Sequence, residues 1–318
     1  MLLGGPDKRT PHFMETAAGD STIASATAYA RIMEALCGCT VPARAQAIRS
    51  LMLELERIAN HTGDCGALAG DVAFLPTASY CGRIRGEYLN MTAEICGNRF
   101  GRNQVIPGGV KFDIPAAMQE KLQAWLARIR PELFNALDLF FDTPSVLDRF
   151  ENTGTVSKED ARAIGLVGVA GRACNLMLDT RLSHADGGYT LRPMEALQTK
   201  HTLTGDVLSR AAVRYGEIRN SERYVCDWLK DLPEGDICGE MESAPAPDTI
   251  AVAITEAWRG ELCHTAVTDK NGKFRRYKIV DPSFHNWFGL ALALRGQQIS
   301  DFPICNKSFN LSYCGHDL

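Results

Sequence analysis

No two cysteines in this chain of 318 residues stand in a CxxC pair. Its eleven cysteines are scattered from Cys37 to Cys314, and the nearest two, Cys37 and Cys39, enclose a single glycine. Thiolate metal sites need paired ligands at short fixed spacing, so none is legible here. An odd count also argues against a full disulfide framework, and free thiols in a reducing compartment behave as small hydrophobes. Cationic excess is missing too. With a formal net charge of -4 and Lys and Arg scattered along the chain, nucleic acid is excluded as an expected partner. A bilayer crossing needs about 20 apolar residues, and the runs IAVAITEAW and WFGLALALRG are shorter and bounded by charge. MLLGGPDKRTPHF lacks the long apolar core of a signal peptide, so a cytoplasmic location is expected. GLVGVAG lacks the strand, helix and acidic residue of a dinucleotide fingerprint, which assigns any NAD(H) chemistry to another chain. What is present is apolar content of 45%, enough for a sizeable core.

Apolar and small residues recur at helical spacing from Thr22 to Leu36, and Pro42 in TVPARAQ stands where a second helix can start. That helix, ARAQAIRSLMLELERIANHTGD, carries Ile48, Leu51, Met52, Leu55 and Ile58 on one face, opposite a charged stripe with Arg49 and Glu56. A third helix through IRGEYLNMTAEIC ends in Gly97 and Gly101, and PGGVKFDI follows as a turn into a short extended piece. AAMQEKLQAWLARIRPELFNALDLFFDT is an amphipathic helical region interrupted by Pro131. TGDVLSRAAVRYGEIRNSERYVCDWLKDL gives a long helix with Val207, Leu208, Ala211, Tyr215 and Ile218 inward. The texture then changes: within roughly 240–285 the residues alternate around the turn DKNGK, as in a small antiparallel β unit. The expected fold is mainly α, a helical bundle with a small antiparallel β excursion, as one domain over residues 1–318.

Six collinear segments carry a resemblance: RAQAIRSLMLELERIANH, IPGGVKFDI, GDVLSRAAVRYGEIRNS, EAWRGELCH, RRYKIVDPSFHNW and LRGQQISDFPICNKSFNLSYCGHDL. Together they resemble the large subunit of membrane-bound energy-converting nickel-iron hydrogenases and the related subunit of NADH:quinone oxidoreductase (respiratory complex I). The resemblance covers nearly the whole chain and implies the hydrogenase-large-subunit type of bundle. The family's N-terminal β portion, with a His that partners the quinone-binding Tyr, has no counterpart in these residues.

Hydrogenases of this kind hold nickel and iron with two CxxC motifs, because soft thiolates bind and bridge both metals. The first motif falls on AAGDS, with Ala18 and Ser21 in the ligand places and Ser25 where a nearby His is usual. The second falls on NLSYCG, with Ser312 and Gly315. All four thiolates are missing, so the resemblance implies the wall of a metal cavity without metal, in a chain that is not a hydrogenase by itself. In the quinone branch that cavity receives a quinone headgroup. The resemblance matches Tyr29 to the phenol that donates to the quinone and Asp71 to a supporting carboxylate. Read as residues alone, Tyr29 is a core aromatic and Asp71 an exposed loop carboxylate.

Glu54, Arg57 and His61 share one helix face at i, i+3 and i+7, as in a buried polar network near the cavity or the iron-sulfur subunit; a solvated charged face is the alternative. Arg85 and Glu87 resemble the family's charged helix facing the electron-transfer subunit. Trp258 stands in place of the family's Pro before Arg259, so the Arg259 loop is expected to depart from the family's conformation. His264 and His285 lack ligand spacing and are expected to be structural. The resemblance implies a peripheral subunit on the cytoplasmic side of a membrane-associated oxidoreductase complex, active only within it. This chain would bind no cofactor or metal alone. A quinone would lie at its interface, with an iron-sulfur small subunit, companion subunits and ion-translocating membrane subunits as partners. The alternative is a non-catalytic structural or assembly subunit.

Overall fold

Helix ends follow local chemistry. In the computed structural model, which describes residues 2–318, a one-turn α1 (Thr10–Met14) precedes α2 (Thr22–Cys37), α3 (Ala43–Asp71) and α4 (Leu75–Cys96). α2 stops at Gly38 and α4 at Gly97, both at positive φ, where a residue without Cβ closes a helix free of strain. Pro42 is the N-cap of α3, one residue before the first turn.

A short hairpin of β1 (Val105–Ile106) and β2 (Gly109–Val110) leads into α5 (Ala116–Phe141). Pro131 does not interrupt α5: the helix runs through it. The missing N–H forfeits one backbone bond, but Pro131 lies on the exposed side, where water serves the freed carbonyl. Five short helices follow: α6 (Pro144–Phe150), α7 (Lys158–Ala163), α8 (Gly168–Ala173), α9 (Thr180–Ser183) and α10 (Gly188–Leu191). They lead to α11 (Val207–Lys230), whose N-terminus is capped by Asp206 accepting from the Ser209 amide.

β3 (Ile250–Ala257), β4 (Gly260–Thr268) and β5 (Phe274–Val280) form an antiparallel meander in that order, with Ala257 opposite Gly260 across the first turn. α12 (Pro282–Ala293), α13 (Phe302–Phe309) and α14 (Tyr313–His316) complete the described chain. No helix among the described residues is long and apolar enough to cross a membrane.

α3 is the axis of the bundle. It packs against α4, α11, α10, α13 and α2, and the sheet lies on α2 through β3 and β4. The predicted inward residues Ile48, Leu51, Met52, Leu55 and Ile58, and Val207, Leu208, Ala211, Tyr215 and Ile218, are all buried. The stripe opposite them on α3 is not a solvated face, because neighbours enclose that helix on its other sides as well. Arg49 is buried against Glu34 of α2, and Glu56 caps α2 from outside by accepting from the Ile23 amide at 2.7 Å.

One contact ties the helices to the sheet without any side chain between them. A Cβ on Gly168, which opens α8 at φ 59°, would lie 2.0 Å from the Arg259 carbonyl oxygen. One on Gly260 would lie 2.7 Å from the Gly168 Cα. Only glycine at both places lets α8 rest on the β3–β4 turn.

Candidate functional site

The two ends of the chain meet at the turn between β3 and β4. The Gly19 amide donates to Ser312 Oγ at 3.3 Å, although 293 residues separate them, and Ser312 Oγ also accepts from the Gly315 amide at 3.0 Å. Arg259 crosses between the two segments. Its Nη1 donates to the Gly19 carbonyl at 2.7 Å and its Nε to the Asn310 carbonyl at 2.6 Å, with Ser21 Oγ at 3.4 Å from Nη1. The guanidinium lies 3.8 Å from the centre of the Trp258 ring, and the indole N–H donates to the Asp20 carbonyl at 2.9 Å. Trp258 thus fixes the Arg259 loop by stacking and by a hydrogen bond. Ala18, Ser21, Ser25, Ser312 and Gly315 are all buried around this junction, and the Ser25 hydroxyl has no hydrogen-bond partner among the described residues. Asp64 borders it, paired with Arg214 at 2.7 Å and accepting from Asn310 at 2.6 Å.

One turn of α3 away lies an ionic network in which Glu54, Arg57 and His61 are fully buried. Arg57 donates to Glu54 at 3.1 Å, to Glu217 at 3.4 Å and to the carbonyls of Glu256 and Ala257 at 2.7 and 3.1 Å. His61 Nε2 meets Glu217 at 2.9 Å. Arg172 of α8 places Nε and Nη2 on the other Glu217 oxygen at 2.8 and 2.7 Å and Nη1 on Glu256 at 2.8 Å. Glu256 also accepts from the Thr180 amide and hydroxyl. Arg181 joins Asp179 to Glu54, and Ser221 and Tyr189 donate to Glu54 as well.

The fields follow from these contacts. Burial works against charge on Glu54, yet Arg57 and Arg181 hold it below its ordinary value. Burial likewise opposes Glu217, and Arg172 with the His61 hydrogen bond holds it well below. Burial pushes Glu256 up, Arg172 countering, and pushes His61 down, Glu217 countering. The solvated-face alternative for Glu54, Arg57 and His61 therefore fails. Their partners Arg172, Asp179, Arg181, Tyr189, Glu217 and Glu256 went unseen in the sequence, where each reads as an ordinary polar position.

Tyr29 and Asp71 are not brought together. α2 runs antiparallel to α3, with Ile23 level with Glu56 and Glu34 level with Arg49. At 1.5 Å per residue, Tyr29 and Asp71 are separated by roughly 30 Å along the α3 axis. Tyr29 is buried, and burial, with Cys37 and Asp7 nearby, raises its phenol. Asp71 is exposed at the end of α3, its carboxyl raised by partial burial with Lys307 opposing. Arg85 and Glu87, two positions apart, point to different sides of α4: Arg85 reaches Asp20 at 3.6 Å beside the junction, and Glu87 accepts from Trp125 of α5 at 2.8 Å. They do not form one charged face. His264 is buried with its Nδ1 2.9 Å from the Tyr277 hydroxyl, and His285 is half-buried on α12.

The family described as the respiratory-chain NADH dehydrogenase, 49 Kd subunit, matches residues 71–249 and 239–317. The chain belongs to this family. Formate hydrogenlyase subunit 5 of Escherichia coli (strain K12) is 31% identical over 293 residues, 91% of this chain. The chain spans only 50% of that relative's length. Carbon monoxide-induced hydrogenase of Rhodospirillum rubrum is 30% identical over 284 residues, 89% of this chain and 77% of the relative. An NADH-quinone oxidoreductase subunit of Herpetosiphon aurantiacus is 32% identical over 291 residues, 89% of this chain and 78% of the relative. A chain in the structure of the membrane-bound sulfane sulfur reductase, an archaeal respiratory membrane complex, superposes with a TM-score of 0.90 at 22% identity, covering 100% of this chain and 87% of that one. The mainly α fold with its small antiparallel sheet is the fold of that structure.

Within this family, nickel-iron chemistry does not fit the residues at the junction. Ala18, Ser21, Ser312 and Gly315 offer two hydroxyls and no thiolate, the wrong donors for soft metals. A Cβ on Gly315 would lie 2.5 Å from Asp281 Oδ1, so a side chain there would have to displace the Asp281 carboxylate. Nor do Tyr29 and Asp71 fit one quinone headgroup, which is far smaller than their separation.

Proposed function

We propose that this chain is a non-nickel subunit of a membrane-associated respiratory complex of the complex I and hydrogenase family. It docks on an iron-sulfur subunit beside the junction of residues 18–21 with 312–315, and the complex passes electrons to a quinone-type acceptor at that interface, coupled to ion translocation by membrane subunits. One observation carries the reading: two segments from opposite ends of the chain are still drawn together by Arg259, although the ligand places hold Ala18, Ser21, Ser312 and Gly315. Neither Tyr29 nor Asp71 is assigned to a shared headgroup site, given their separation.

The separation of Tyr29 from Asp71, and the filling of the junction by Arg259 and Asp281, favour a second reading: a structural or assembly subunit that docks without chemistry of its own. Purification of the tagged chain from its native membranes in mild detergent, with identification of partners and assay of nickel, iron and quinone, separates the two. Iron and quinone at stoichiometric level, with an iron-sulfur subunit and no nickel, support the redox role. Partners with no quinone support the structural one. Stoichiometric nickel, or a chain that comes alone and free of iron, sinks both.

A further inference from the structure

On the outer side of the bundle, remote in sequence from the junction, α5, α11 and the loop 192–206 border a solvent-open cavity of about 260 Å³ lined by Gln198, Asn220 and the exposed Arg130, Arg219 and Arg223. We propose that this cavity is a binding site for a phosphoryl group. Arg219 and Arg223 stand one turn apart on α11, a like-charge spacing that is repulsive on a bare helix and of which Glu195 answers only the Arg223 member. Arg130 joins them from α5. Its guanidinium and that of Arg219 both lie 5.8 Å from the centre of the Phe134 ring, and Arg219 lies 5.6 Å from that of Tyr215. These aromatic contacts hold two long side chains in place, lowering the entropy lost when a ligand orders them.

The charges around the cavity do not cancel. Arg130 pairs with Glu222 at 2.9 Å and Arg223 with Glu195 at 2.6 Å, whereas Arg219 meets no carboxylate among the described residues. Asn220 donates to the carbonyls of Glu195 and Ala196 and accepts from Arg223 at 3.2 Å, fixing the loop wall against α11. Each guanidinium carries five donors, and the contacts above use few of them. A planar fork matches two oxygens of an anion, so three forks around one cavity match a tetrahedral group with several acceptor oxygens better than a carboxylate with two. The volume leaves room for the group to which a phosphate is attached. A free diphosphate compound and an anionic phospholipid headgroup share this chemistry.

The test is titration of the full-length chain with pyrophosphate by calorimetry, and co-sedimentation with phosphatidylglycerol–phosphatidylcholine vesicles against phosphatidylcholine alone. Arg219→Gln is expected to weaken binding at least tenfold with an unchanged melting curve. Arg219→Lys, which keeps the charge without the fork, should recover only part of the loss. Should Arg219→Gln fail to fold, Arg223→Gln, on a half-exposed side chain, replaces it. Pyrophosphate binding with that loss points to a soluble phosphate compound, and vesicle binding with that loss points to a lipid headgroup. Either supports the site. Absence of both, equal binding by the variant, or capture of a polyglutamate peptide without either phosphate probe overturns it.

Discussion

The junction and the ionic network lie side by side on α3, yet they hold buried charge in opposite ways. In the network each carboxylate meets several charged or hydroxyl donors: Glu54 takes four partners, Arg57, Arg181, Ser221 and Tyr189, and Glu217 takes Arg57, Arg172 and His61. At the junction Arg259 meets no carboxylate within ion-pair distance among the described residues, and rests on two carbonyls and an indole face. Removing one member of the first kind strands formal charges. Removing Arg259 breaks no direct ion pair and leaves two carbonyls without their donor. The difference teaches that a place shaped for ligands can be closed with backbone groups and one cation, whereas a saturated ionic cluster has no such neutral substitute.

The largest expected effect comes from breaking the network at its hub. Glu217→Leu leaves Arg57, Arg172 and His61 facing no common anion and is expected to destabilise the fold by about 3–5 kcal/mol, read from urea unfolding. Arg259→Met should cost about 2–3 kcal/mol, since it leaves the Gly19 and Asn310 carbonyls without their charged donor. Hydrogen exchange places that second loss: amides of residues 18–21 and 310–315 speed up while those flanking Glu217 do not. Equal costs for the two variants would erase the distinction between the regions.

A third prediction concerns the sheet. Burial pushes His264 down to about 3 from the ordinary 6.5, so the folded state keeps it neutral. Above pH 6.5 neither state binds that proton and stability is complete. As the pH falls from 6.5 toward 3, the unfolded chain takes it up and His264 contributes a loss of up to about 1.4 kcal/mol per pH unit. Urea unfolding at pH 7 and pH 5 should show a smaller difference for His264→Asn than for the parent. The smallest effect is expected at Arg85→Gln, which breaks a half-exposed pair with Asp20 and should change stability by at most about 1 kcal/mol.

The helical faces of α3 and α11 and the meander around DKNGK were legible because apolar periodicity records which face is buried. Periodicity is silent on charge. Arg49 and Glu56 fall opposite the apolar stripe and look solvated until the sheet, α2 and α11 are placed around them. Pro131 looked like a break because the sequence does not tell that its side of α5 faces water. The junction was legible only through the order of the six resembling segments, which set Ala18 and Ser21 against Ser312 and Gly315. The separation of roughly 30 Å between Tyr29 and Asp71 was not, since the pitch and direction of α2 against α3 appear only once both helices are packed. Glu217 and Arg172 would have been recoverable only by asking what answers the charges of Glu54 and Arg57 in a helix with no outer face.

The meeting of Gly168 with Gly260 has a mechanical meaning. Side chains between two elements act as cushions, since rotamers can change to absorb a shift. Here backbone touches backbone, so the β3–β4 turn has no play against α8. A displacement that carries Arg259 away from the chain ends must drag α8, and with it Arg172, out of register with Glu217. The joint acts as a rivet: a shift of the β3–β4 turn moves Arg259 and Arg172 together, whereas loss of the Arg259 side chain alone loosens only the chain segments it holds.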